Sequence, residues 1–143
     1  LNISGLIFFL LPHNIFSNML DLELFYSKEN VVKNFIAMGP DGRSIYVLSS
    51  LLLDTVYPIL YLSLFLGAYF KLFRSSKAIM LVPITAFSFD ILENLQITRL
   101  NFNFPNISET HVYLSSMTTS LKWIAILITV SILIYGIMKK RKN

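Results

Sequence analysis

The chain has no cysteine among its 143 residues. That rules out disulfides, thiolate metal sites and a cysteine nucleophile. Charge is also scarce. Only 14% of residues are Asp, Glu, Lys or Arg, against about 25% in an average soluble domain. So few charges cannot wet the surface of a chain this small. No G-x-S-x-G nucleophile elbow occurs, and no internal repeat or low-complexity tract stands out. What is present is apolar: 55% of residues are hydrophobic, and they fall in long runs. The composition is that of an integral membrane protein.

Three stretches are long enough to cross a bilayer: residues 45–70, 78–98 and 112–138. Each holds the roughly 20 mostly apolar residues that a span needs. The run over residues 3–11 is too short to cross alone. It lacks the basic start and small-residue cleavage site of a signal peptide; of the two other readings, an interfacial helix and the end of a truncated first span, the truncated span over residues 1–12 is favoured. The expected fold class is all-α: a transmembrane helix bundle of three full spans plus that truncated one, hence four-helix, as a single membrane domain over residues 1–143. Residues 13–44 form an extracytoplasmic segment and residues 139–143 a basic tail. Within the segment, Ser27 is a good N-cap and Glu29 suits a first helical turn. Val31, Val32, Phe35 and Ile36 follow on one face, and Gly39-Pro40 is a stop. A short amphipathic helix over residues 27–38 is therefore expected on the outer side. Pro40-Asp41-Gly42 reads as a turn before the next span.

Charge asymmetry gives the orientation. Seven of the twelve basic residues are Lys71, Arg74, Lys77 and Lys139, Lys140, Arg141, Lys142, with no acid among them. The segments 12–44 and 99–111 carry four basic against five acidic residues. The positive-inside rule then puts the C-terminus in the cytoplasm. These basic clusters flank membrane spans, so no nucleic-acid partner is expected.

Four ionisable residues fall inside the spans: Asp54, Asp90, Glu93 and Lys122. Each is unfavourable at mid-bilayer by about 2.5–3.5 kcal/mol on insertion scales. Counting 1.5 Å per residue, all four lie within roughly 3–8 Å of the span centres, on the outer side. They also fall on helical stripes. The first contains Ser50, Asp54, Tyr57 and Tyr61. The second contains Pro83, Phe87, Asp90 and Asn94, with Glu93 on its edge. The third contains Ser115, Thr118, Lys122, Ala125, Thr129 and Gly136. Stripes of polar and small residues face other helices rather than lipid. Three of them at one depth predict a convergent polar cluster of Asp54, Tyr57, Tyr61, Asp90, Glu93, Asn94, Thr118 and Lys122. Lys122 is the natural partner of Asp90 or Glu93. The surplus of acid implies a carboxylate that is protonated or that meets water or a cation. Pro58 and Pro83 are expected to kink their helices and open space beside the cluster.

Residues 54–61 read D-x-x-Y-P-x-x-Y, Asp90 to Asn94 read D-x-x-E-N, and Lys122-Trp123 is a K-W pair. With Gly42-Arg43 ahead of them, these motifs resemble a group of small four-helix bacterial inner-membrane proteins to which no activity is assigned. The resemblance extends over nearly the whole chain. It implies the four-helix architecture and an inner-membrane location, and it marks Asp54, Asp90, Glu93, Asn94 and Lys122 as motif positions. It implies no mechanism.

Three kinds of function compete on this reading. A pocket open to the outer leaflet would bind or process a lipid or other amphiphile. Its acids would act as acid/base or cation-binding groups, and Tyr57, Tyr61, Asn94 and Lys122 would orient a polar head. A proton or ion relay would need a path through the inner half, where only Ser63, Thr85, Thr129 and Ser131 are offered. A structural or assembly subunit would use the cluster to fix packing, with a membrane protein partner or a second copy of the chain. No catalytic residue can be named, and no cofactor is expected. A metal site is weakly supported, since His111 lies about 16 Å along the helix from Lys122 and His13 suits the membrane interface. Trp123 reads as a lipid-facing or packing side chain. Tyr46 and Tyr113 suit the outer aromatic belt, and Tyr69 the inner one.

Overall fold

The computed structural model describes residues 15–73 and 77–142. The truncated first span expected over residues 1–12, with His13, lies outside the described residues. Those described are helical apart from short connections, with no strand among them. Two short 3-10 turns, Phe16–Asn18 and Leu20–Leu22, lead into helix α1 (Lys28–Leu72). A third, Lys77–Met80, leads into α2 (Leu81–Asn103), and α3 (Glu109–Lys142) completes the chain. All three helices are long and apolar enough to cross a membrane. Each packs on both others.

Ser27 starts α1 by accepting from the Asn30 N–H at 3.3 Å, and the Asn30 side chain accepts from the Ser27 N–H in return. This reciprocal pairing fills two of the donors that a helix start leaves orphaned. Gly39 interrupts the helix with φ 68° and ψ 177°, a left-handed backbone that glycine adopts without a Cβ clash. The expected turn at Pro40-Asp41-Gly42 is not a turn. Pro40 opens the continuing helix, because its missing N–H and fixed φ suit a first helical position. The C-terminal boundaries of the other two helices also move outward. α2 runs on to Asn103, and the basic residues after Met138 extend α3 instead of forming a separate tail. Lys and Arg favour a helix C-terminus, where the dipole is negative. Ser108 caps α3 through the His111 N–H at 3.1 Å.

Residues 15–38 and the adjoining ends of the three helices enclose the main apolar core. Ile15, Leu20, Val31, Phe35, Leu100 and Val112 are buried there. Residues Val31, Asn34, Phe35 and Met38 point inward, whereas Ile36 is 66% exposed. The buried face is thus set by spacings of three and four, and Ile36 falls off it. Tyr46 is fully buried in the same core rather than belonging to an outward belt. We call this the capped end. Beyond it the helices turn large apolar side chains outward, among them Leu52, Leu64, Leu95, Leu127 and Ile134. Such a surface suits hydrocarbon and not water.

Candidate functional site

Pro58 sits inside α1 and has no N–H to give to the carbonyl four residues earlier, that of Asp54. The Asn94 side chain of α2 donates to this freed carbonyl instead. One residue type in α1 thereby creates an acceptor that one side chain in α2 fills. This pins the two helices at the level of the acids. Pro83, by contrast, lies in the first turn of α2, where no intrahelical donor is lost. It opens no space of the kind expected from a mid-helix proline.

Asp90, one helical turn from Asn94, accepts at Oδ2 from the Tyr61 hydroxyl at 2.9 Å. Glu93 is fully buried and forms an ion pair with Lys122 of α3. It is therefore central to the α2–α3 contact and not on a stripe edge. It stands three residues from Asp90 and four from Ile97, both buried, and these spacings run along one helical face. The choice between Asp90 and Glu93 as the partner of Lys122 falls to Glu93. Asp54 is partly buried, and its Oδ2 has no hydrogen-bond partner among the described residues.

Residues 20–26 lie as a strap along α3, a feature with no signature in hydrophobic periodicity. The Asp21 carbonyl accepts from Lys122 Nζ at 3.4 Å and from Trp123 Nε1 at 3.2 Å. The Asp21 side chain accepts from the Tyr46 hydroxyl at 2.8 Å, and that hydroxyl accepts from the Leu20 N–H at 3.0 Å. Farther along, the Leu24 carbonyl accepts from Ser120 Oγ, and the Tyr26 N–H donates to Ser116 Oγ at 2.9 Å. The Tyr26 hydroxyl shares a 2.7 Å hydrogen bond with Ser115. Burial raises its pKa to about 12 by disfavouring phenolate.

Together these groups enclose a cavity of about 410 Å³. Asp21 and Leu22 of the strap cover one side, and Asp90 and Asn94 come from α2. Helix α1 supplies Asp54, Tyr57, Pro58, Tyr61 and Phe65, and α3 supplies Lys122, Trp123, Ile126 and Val130. Tyr57, Tyr61 and Phe65 stack edge to face at 5.7 and 6.0 Å between ring centroids. This ladder leads from the acids toward the apolar Ile126 and Val130. Tyr57 is 67% exposed and stands at the rim.

Of the eight side chains expected to converge, six line the cavity, and Glu93 lies behind Lys122. Thr118 does not join them. Its hydroxyl accepts from Gln96 Nε2 at 2.8 Å away from the cavity, and its neighbour Thr119 is fully buried instead. The buried line on α3 runs Ser115, Thr119, Lys122, Ala125, Thr129, in steps of four and three. Trp123, read from sequence as lipid-facing or packing, lines the cavity. Asp21 and Leu22 were not anticipated at all. Among the described residues no three His, Asp or Glu side chains are grouped so as to hold a metal ion.

No protein-family model, curated protein or solved structure matches this chain.

Proposed function

We propose that this chain is an integral membrane protein that binds a lipid-like amphiphile in the cavity between α1 and α3. One observation carries the reading: the cavity changes character along its length. At one end are Asp54, Asp90, Asn94, Lys122 and the Asp21 carbonyl; toward the other are Phe65, Ile126 and Val130. A polar head with hydrogen-bond donors suits the first part, where acceptors outnumber donors. A hydrocarbon chain suits the second. A volume of about 410 Å³ is within the range of small-molecule sites, about 300–1,000 Å³. The strap covers the polar end, and Tyr57 stands exposed at the rim. Entry is then from the bilayer, between the helices.

The charge asymmetry supports a cytoplasmic C-terminus, with the strap and cavity in the outer half of the membrane. The resemblance to small inner-membrane proteins supports a bacterial inner membrane and a four-span architecture. In that setting residues 28–38 lie along the outer surface, with Val31, Phe35 and Met38 turned inward. A proton or ion path through the inner half has less support. Ser63, Thr85, Thr129 and Ser131 all donate to carbonyls of their own helices at 2.7–2.9 Å, so their donors are already engaged.

The test is photolabelling in nanodiscs with a single-chain amphiphile that carries a diazirine on its tail. Label is expected on peptides from both walls, near Phe65 and near Ile126. It should fall severalfold in Ile126→Trp, which fills the cavity. Label spread evenly over the outward-facing surfaces of all three helices would overturn the reading.

A further inference from the structure

At the end opposite the cap, aromatic side chains clasp α1 to α3. The buried Tyr69 donates to the Thr129 carbonyl at 2.6 Å, and its ring meets Phe73 edge to face at 5.5 Å. The Phe73 ring lies so close to Gly136 that a Cβ there would clash with it. Beside this clasp is a second groove, of about 550 Å³. Lys71, Lys140 and Arg141 stand toward the helix ends, and Leu72, Leu133 and Ile137 line the rest. Ile137 and Leu133 are one and two turns back from Arg141 along α3. The groove is basic at one end and apolar below.

Those three cations have no counter-charge nearby in the chain. There is no Asp or Glu in residues 55–89, and none after Glu109. The ion pair found among the described residues is Glu93–Lys122, at another level of the bundle. Lys71, Lys140 and Arg141 are also exposed, so an anion can approach them.

We propose that this groove holds one anionic phospholipid. Its phosphate is set against Lys71, Lys140 and Arg141, and an acyl chain lies along Leu72, Leu133 and Ile137. Arg141 offers the planar donor fork that pairs with two phosphate oxygens, and the lysines add point charges. The apolar floor selects a lipid over free phosphate. The net negative head selects an anionic lipid over a zwitterionic one, whose ammonium would meet the same cations. The site is separate from the cavity near Asp54 and depends on neither orientation nor that cavity's occupant.

The experiment is native mass spectrometry of the full chain in mild detergent. Phosphatidylglycerol and phosphatidylcholine with identical acyl chains are added in turn. One phosphatidylglycerol per chain is expected to bind about tenfold or more tightly than phosphatidylcholine. The variant Lys71→Gln/Lys140→Gln/Arg141→Gln should abolish that preference. The variant Lys77→Gln/Lys139→Gln, which removes charge at the same end outside the groove, should keep it. Ile137→Trp should weaken phosphatidylglycerol binding without changing charge. Equal binding of the two lipids would overturn the proposal, as would equal loss in both charge variants. Displacement of the lipid by millimolar inorganic phosphate would also overturn it.

Discussion

Asn94→Leu should destabilise the protein only while residue 58 is proline. In the native chain the Asn94 side chain donates to the Asp54 carbonyl, which Pro58 leaves without its intrahelical donor. Leucine keeps the branching of this buried side chain but orphans the carbonyl, a loss of about 1–3 kcal/mol. Pro58→Ala restores an N–H four residues on, so the helix itself satisfies Asp54. Alanine is also favoured over proline in a helix interior by about 3 kcal/mol. In that background Asn94→Leu should cost well under 1 kcal/mol. The coupling energy of the double-mutant cycle is then about 1 kcal/mol or more. The assay is reversible unfolding in mixed micelles by SDS titration, followed by far-UV circular dichroism. Equal penalties for Asn94→Leu in the two backgrounds would refute the link between Pro58 and Asn94.

Three other outcomes follow from the same geometry. Lys122→Met should cost about 3–5 kcal/mol because it strands the buried Glu93, whereas Glu93→Gln/Lys122→Met should recover much of that loss; additive single and double penalties would count against a coupled pair. Tyr26 has a folded-state pKa raised from 10.0 to about 12, so its contribution is complete below pH 10 and is lost as pH rises through 12. Up to about 3 kcal/mol is at stake, and stability should fall less steeply between those limits in Tyr26→Phe; identical slopes would rule this out. Gly136→Val should destabilise by about 1–3 kcal/mol through overpacking against Phe73, and Phe73→Ala should relieve part of that penalty in the same SDS titration.

The spans were legible because twenty apolar residues in a row have one physical use. Asp54, Asp90, Asn94 and Lys122 were legible as a group because charge at mid-span demands a shared interior. Thr118 was misassigned because it and Thr119 both lie a helical step from Ser115 (three residues and four), and sequence alone does not weigh the two. Pro40-Asp41-Gly42 has turn composition, yet Gly39 alone absorbs the break. The strap was not legible. Apart from the Tyr26 hydroxyl, its contacts to α3 run through the Asp21 and Leu24 carbonyls and the Tyr26 N–H, and backbone groups leave no mark on residue type. The strap as the partner of Trp123 was hidden for the same reason, since its indole donates to a carbonyl. The link between Pro58 and Asn94 was available in principle: a mid-span proline frees the carbonyl four residues back, and an amide at the same depth is a natural donor.

The strap also sets an order of assembly. Its partners lie far along the chain: Tyr26 waits for Ser116, 90 residues on, and Asp21 for Lys122, 101 residues on. A chain made from its N-terminus exposes residues 20–26 well before α3 exists. The α1–α2 link through Asp54 and Asn94 spans only 40 residues and can close first. Lys122 enters after that link, and its arrival seats the strap and neutralises Glu93 in one step. Until that step the cavity has no roof, so a chain stalled before α3 presents its acids open. Truncation ahead of Lys122 should therefore shorten the protein's lifetime in the membrane more than truncation behind it.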